Sequence, residues 1–262
     1  MRDVSSVSGG EATTAEEGGV SDHSAIEWTD ATWNPTTGCT KVSPACANCY
    51  IERTPPFRIH GRKFAGGHIP LQFHEDRLTQ PSRWKAPKRI FVNSLSDLFH
   101  PDVPDEFLHR VYDEMEHARQ HTYQVLTKRA ERMRDYLAWR YSGHRIPARH
   151  IWHGVSAENQ RMLHERGEML RRTRSAIRFI SAEPLLGSLT MDFELPLLNW
   201  VIVGGESGPR VRPMNQDWVR SIRDQCVSAG VPFFFKQWGG PTPKSGGRLL
   251  DGRTWDEMPC AK

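Results

Sequence analysis

From residue 89 onward the chain repeats one pattern, a short apolar, β-branched run followed by a helical stretch. The runs lie at 90–93, 123–127, 151–156, 177–181, 200–203 and 232–236, so their starts are 33, 28, 26, 23 and 32 residues apart. That interval is the length of a strand plus its crossover helix, and it leaves few architectures open. An earlier apolar run at 25–29 predicts a first strand, which makes seven. The runs are nearly continuous in apolar residues, as strands of a parallel sheet covered on its faces must be.

The intervening helices carry readable ends. Asp102 is placed to cap a helix that Pro104 opens and that runs to about residue 121. Segments 130–141 and 158–172 have amphipathic spacing. Asn215 or Asp217 caps 218–229, and Gly230 stops it. Between 184 and 199 no helix is legible. The expected fold is therefore α/β, a partial or complete parallel (β/α) barrel. An open doubly wound sheet would be favoured by a glycine-rich phosphate loop directly after the first strand. None is present there.

The 262 residues suit a barrel, which typically needs about 250. Residues 1–24 are rich in Gly, Ser, Thr and Glu and are expected to form a disordered tail, with 25–262 as a single barrel domain. No run of 18 apolar residues occurs, so no membrane span is expected. The N-terminal stretch lacks the apolar core of a secretory signal, which points to the cytoplasm.

Nearly every expected strand ends in polar or charged residues. The sets are Asn93, Ser94 and Asp97; Thr127, Lys128 and Arg129; Ser156 and Glu158; Ser181 and Glu183; Gly204, Gly205 and Glu206; and Lys236 with Gln237. In a parallel barrel these ends share one face, where active sites form.

Three of the five cysteines crowd into the segment that follows the first expected strand. Cys39, Cys46 and Cys49 give the spacing C-x6-C-x2-C. Clustered cysteines in a reducing compartment more often bind metal than form disulfides. Three thiolates can hold three irons of a [4Fe–4S] cluster and leave the fourth iron open for a ligand. The alternative is zinc, which needs a fourth ligand; His60, His68 or His74 are the nearby histidines. Cys226 falls on the core face of its helix and reads as packing, and Cys260 lies near the C-terminus.

The formal charge of +4 is uneven: the first 24 residues carry −4 and the remainder +8. Arg53, Arg58, Arg62 and Lys63 follow the cysteines, and Arg83, Lys85, Lys88 and Arg89 surround Trp84. Basic residues interleaved with aromatics suit a DNA or RNA backbone with a stacked or flipped base.

Three cysteines after the first strand of a β/α barrel resemble the radical S-adenosylmethionine superfamily. The usual spacing there is C-x3-C-x2-C with an aromatic before the last cysteine. Here six residues separate the first pair, and the aromatic, Tyr50, follows Cys49. A closer resemblance runs from Ile26 to Gly239. It rests on Glu27-Trp28-Thr29 with Trp33-Asn34-Pro35, on Cys46-Ala47-Asn48-Cys49-Tyr50, and on Asn93-Ser94-Leu95-Ser96-Asp97-Leu98-Phe99. It continues in Leu126-Thr127-Lys128-Arg129, Ser181-Ala182-Glu183-Pro184-Leu185-Leu186-Gly187, Gly204-Gly205-Glu206-Ser207-Gly208 and Phe235-Lys236-Gln237-Trp238-Gly239. Together these resemble a family of bacterial and bacteriophage proteins described as phage gene products of unknown function. That family in turn is similar, in fold and cysteines, to spore photoproduct lyase and its radical-enzyme relatives.

The resemblance implies a barrel of the radical S-adenosylmethionine type and a [4Fe–4S] cluster on Cys39, Cys46 and Cys49. S-adenosylmethionine would be cleaved by one electron from a donor partner, as a lyase or transferase acting on nucleic acid in lesion repair or base modification. Asn93, Ser94 and Asp97 occupy the strand-two position that meets the methionine end. Gly204, Gly205 and Glu206 resemble the superfamily's glycine-glycine-glutamate motif, displaced to strand six, where they allow close ligand approach. Lys128, Arg129 and Lys236 would hold a carboxylate or phosphate, with Glu158, Glu183 and Glu206 as charge partners. Two other readings stand beside this: a zinc-stabilised nucleic-acid-binding protein without catalysis, and an electron-transfer iron–sulfur protein.

Overall fold

A computed structural model of the chain describes residues 24–143, 145–192 and 194–259. The expected tail at 1–24, apart from Ser24, and Cys260 lie outside the described residues. Among the described residues, nine strands and six α-helices follow one another. They are β1 (Ala31–Trp33), β2 (Thr36–Thr40), α1 (Pro55–Ile59), β3 (His68–Phe73), α2 (Gln80–Arg83) and β4 (Arg89–Val92), then α3 (Asp105–His117), β5 (Thr122–Thr127) and α4 (Ala130–Arg140). The series ends with β6 (Ile151–Ser156), α5 (Gln160–Arg172), β7 (Ile177–Ala182), β8 (Trp200–Gly204), α6 (Gln216–Ala229) and β9 (Phe233–Gln237).

Seven strands form one sheet in the order β1-β4-β5-β6-β7-β8-β9, with every pair parallel. The sheet curls into a half-barrel. Its order is linear, from β1 to β9, so the barrel is partial rather than complete.

The two faces of the sheet bury different things, because strand side chains alternate. Ile90, Val92, Val125, Val155, Ile180, Val201 and Phe235 pack against helix residues such as Leu108, Leu137, Leu163 and Ile222. Phe91, Trp152, Phe179, Trp200 and Phe234 point to the other face, the inside of the curl, where they pack with Trp28. Gly154 belongs to that inner face, since a Cβ there would sit 2.4 Å from the Phe179 ring. The lower half of the inner face is thus an aromatic plug. Toward the C-terminal ends of β4, β6, β7 and β9 the inner positions become polar, at Asn93, Ser156, Ser181 and Lys236.

Several boundaries differ from those expected. The first strand is Ala31–Trp33, not 25–29. The apolar residues before it serve the plug: Trp28 is 2% exposed within the inner aromatic cluster. The helix after Pro104 ends at His117, where His121 instead turns to the Pro81 carbonyl at 2.9 Å. The helix expected from 158 begins at Gln160, with Asn159 accepting the Met162 N–H at 3.0 Å as its cap. Asn215 caps α6 by accepting the Asp217 N–H, and Gly230 ends it at φ 66°. Among the described residues, only one short 3-10 turn, Leu195–Leu197, lies between β7 and β8, as the absence of a helical pattern implied. Cys226 is fully buried in the outer core.

One element had no sequence signal. β2 and β3 form an antiparallel hairpin that is not part of the main sheet, with a register shift between Thr37 and Cys39. Cys39 lies on this hairpin.

Candidate functional site at the open end of the half-barrel

The C-terminal ends of the sheet strands form the site. At the inner face, Ser156 and Ser181 sit opposite each other across β6 and β7. Lys128 follows β5 and donates to the Ser156 hydroxyl at 3.2 Å. Glu183 follows β7, accepts from Ser181 Oγ at 3.1 Å and pairs with Lys236 of β9 at 2.7 Å. Gly204 of β8 lies between them: a Cβ there would come within 3.2 Å of the Glu183 carboxylate and 3.4 Å of Lys236 Cβ. The strand period of two therefore carries these strands from the plug layer to the rim layer: Gly154 to Ser156, Phe179 to Ser181, Ile202 to Gly204, Phe234 to Lys236.

The cysteine loop reaches over this rim and is held at Ala45 and at Asn48 by buried carboxylates. Glu158 is fully buried; it accepts the Ala45 N–H at 3.2 Å and pairs with Arg166 at 2.9 Å. Burial pushes its carboxyl up, but Ser43, Arg166 and the Ala45 amide together hold it below its ordinary value. Glu206 accepts from Asn48 Nδ2 at 3.0 Å and from both the backbone and guanidinium of Arg212. Burial raises this carboxyl too, and Arg212 and Asn48 outweigh it and lower it. Arg212 then donates to the Pro44 carbonyl at 3.0 Å, and Asn48 to the Arg210 carbonyl at 2.8 Å. Both carboxylates thus hold the loop in place. Neither Arg166 nor Arg212 had a signal in the sequence; Asn48 did, through its place between two cysteines.

The strand-two residues sort in the same way. Asn93, at φ 59°, exchanges hydrogen bonds with Thr36, and the Asn34 side chain accepts from Ser94 Oγ and the Leu95 N–H. The Tyr50 hydroxyl donates to the Ser94 carbonyl. These residues join β4 to the start of the hairpin. Asp97 is buried and accepts from Thr127 Oγ1, the Lys128 N–H and Arg129 Nη1, the last at 2.8 Å. Gly205 is needed for packing, since a Cβ would lie 2.0 Å from the Trp238 carbonyl oxygen.

Arg129 connects this network to sulfur. Its guanidinium reaches Asp97, the Thr40 carbonyl at 3.1 Å and Cys39 Sγ at 4.0 Å. Burial and the neighbouring Asp97 charge push the Cys39 thiol up to about 11, against the opposing pull of Arg129. Burial also raises Cys49. All three cysteines are free and partly buried.

Among the described residues, no three His, Cys, Asp or Glu side chains are gathered as a ready-made metal site. The donor set itself is nonetheless soft. It is three thiols on one hairpin-and-loop segment, and the buried carboxylates around it, Asp97, Glu158 and Glu206, are each engaged by an arginine. That chemistry fits an iron–sulfur cluster better than a hard cation. The histidines considered for zinc are turned elsewhere: His68 bonds Thr40 Oγ1 at 2.8 Å, His74 bonds Thr37 Oγ1 at 3.0 Å, and His60 is exposed.

No helix of the described residues is long and apolar enough to cross a membrane. No curated protein and no solved structure matches the chain. A family model described as a protein of unknown function, DUF5131, matches residues 23–259. All of the described fold, the cysteine loop and the polar rim included, falls inside that match, and the chain belongs to the DUF5131 family.

Proposed function

We propose that this protein is an iron–sulfur enzyme of the radical S-adenosylmethionine type acting on nucleic acid, with its [4Fe–4S] cluster on Cys39, Cys46 and Cys49. The observation that carries the reading is the strapping of a three-thiol loop across the polar, C-terminal end of a parallel half-barrel. When bound there, the cluster and S-adenosylmethionine supply one-electron cleavage of a sulfonium and hydrogen-atom abstraction.

The protein's own residues then have three tasks. Glu158 and Glu206 position the loop, through Ala45 and through Asn48 with Arg212. Arg129 places a positive charge beside Cys39 and offsets part of the rise that burial and Asp97 impose on its thiol. Lys128 and Lys236, with Ser156, Ser181 and Glu183, offer the cations and hydrogen-bonding groups that a cofactor carboxylate and ribose need. The plug of Trp152, Phe179, Trp200 and Phe234 closes the floor against water.

The test is product release. Anaerobically reconstituted protein is reduced in the presence of S-adenosylmethionine, and 5′-deoxyadenosine is measured. The wild type is expected to release it, and Cys39→Ala, Cys46→Ala and Cys49→Ala to release none. A wild type that holds iron but cleaves no cofactor contradicts the reading and favours electron transfer.

A further inference from the structure

The basic residues that the sequence presents as two comparable sets are separated by the fold. Arg83, Lys85, Lys88 and Arg89 precede β4 or open it, whereas the site lies beyond Val92 at its other end. Four residues of strand put about 13 Å between the two ends. Arg89 is moreover engaged by Asp30 at 2.6 Å, and Lys88 lies over the Trp84 ring at 5.5 Å.

Residues 36–73, the hairpin with the cysteine loop and α1, sit at the site end. This stretch holds five basic side chains and one acidic one, a net +4, which equals the net charge of the whole chain. The single acid, Glu52, is occupied by the Phe64 N–H at 2.6 Å. Three of the cations have local duties. Arg62 donates to Gln72, Thr37 and the Pro70 carbonyl, Lys41 donates to the Ala47 carbonyl, and Arg53 reaches across to the Ser207 carbonyl at 2.7 Å. Arg58 and Lys63 are exposed and make no ion pair with any described residue. Ile59, next to Arg58 in α1, is 72% exposed, and Tyr50, in the turn that packs against α1 and reaches the rim, is 47% exposed.

We infer that this appended element is where a nucleic acid docks, with its phosphates on Arg58 and Lys63 and a base directed over Tyr50 toward the rim. The inference rests on the nucleic-acid part of the function proposed above and assigns it a surface. Cations held next to exposed aromatic and aliphatic groups suit a strand whose bases can leave the stack; a backbone-only binder would need no apolar neighbours. The shared chemistry is the phosphodiester backbone, and the arms of the experiment separate DNA from RNA.

Full-length protein is titrated into fluorescein-labelled single-stranded DNA and RNA 20-mers of one sequence, across a salt series. The wild type is expected to bind at least one of them with a steep salt dependence. The double variant Arg58→Ala/Lys63→Ala is expected to bind at least tenfold more weakly. The slope of log K against log salt should also shrink by about 1.4, at roughly 0.7 for each single-strand phosphate that the variant no longer neutralises. The variant Arg83→Ala/Lys85→Ala removes equal charge from the other end and is expected to stay within twofold of wild type. Equal losses in both variants, no binding to either strand, or tighter binding to phosphatidylserine vesicles would each overturn the inference. Because binding is read without cluster or cofactor, its failure is distinct from failure to cleave S-adenosylmethionine.

Discussion

At the scale of single residues, the Asp97–Arg129 pair is the most heavily committed interaction of the site. The two side chains are 7% and 11% exposed, and Asp97 is also bonded by Thr127 and the Lys128 amide. Arg129→Met would strand a buried carboxylate, and a loss of about 3–5 kcal/mol is expected in urea unfolding. Burial alone would raise the Asp97 pKa, but Arg129 and the bonds from Thr127 and Lys128 hold it below the ordinary value. Its contribution is therefore full above the unfolded carboxylate value of about 3.9 and is lost as pH falls through the lower folded value. Asp97→Asn should accordingly narrow its stability gap from wild type below about pH 4. A glycine pair offers a second contrast. Gly205→Ala drives a Cβ to within 2.0 Å of the Trp238 carbonyl oxygen and should destabilise by about 2 kcal/mol or more. Gly187→Ala meets only Asn159 Cβ at 3.8 Å and should stay within about 0.5 kcal/mol.

At the scale of elements, the decisive piece is the cysteine loop with its straps. Glu158→Gln removes the charge that Arg166 and the Ala45 amide share, and Glu206→Gln loosens Asn48 and Arg212. Either change is expected to speed hydrogen exchange of amides 45–49 while leaving the β6 and β7 amides protected; unchanged loop exchange would show that the carboxylates do not hold it. These straps also mark where sequence reading stops. The sheet strands from β4 onward and the ends of α6 were legible because burial on both faces and capping write themselves into local composition. The β2–β3 hairpin was not, since its strands, Thr36–Thr40 and His68–Phe73, mix polar residues and lie 27 residues apart. Glu158 and Glu206 were legible as site residues, but not their role, because Arg166 and Arg212, which occupy them, come from a helix and a loop with no pattern of their own, whereas Glu183 pairs with Lys236, a strand-end cation the sequence also marked. What alternation does contain is the rim itself: two residues beyond the last plug residue of β7, β8 and β9 (Phe179, Ile202 and Phe234) lies a rim residue.

For the whole molecule, the half-barrel depends on an outer core that also contains a buried histidine. His153 of β6 bonds the Tyr112 hydroxyl at 3.0 Å and Ser175 Oγ at 2.8 Å, and burial pushes it down to about 3. A neutral buried histidine favours the folded state above the unfolded value of about 6.5. That advantage is lost as pH falls toward the folded value, because only the unfolded chain takes up the proton. Stability of the wild type is thus expected to fall steadily from about pH 6.5 downward, and His153→Gln to show a flatter profile over that range. A wild-type profile equally flat would mean that the histidine is solvated. This places acid sensitivity in the scaffold, away from the cysteine loop, and recommends neutral pH for any work on the site.

The central claim is that Cys39, Cys46 and Cys49 act together as ligands of one redox cluster. Metal content after anaerobic reconstitution tests it most directly, with each cysteine replaced by serine in turn and Cys226→Ser as the control outside the site. About four irons and four sulfides per wild-type chain are expected, with most of that lost in each of the three loop variants and retained in the control. One zinc per chain, or iron retained without any one of the three cysteines, would contradict it.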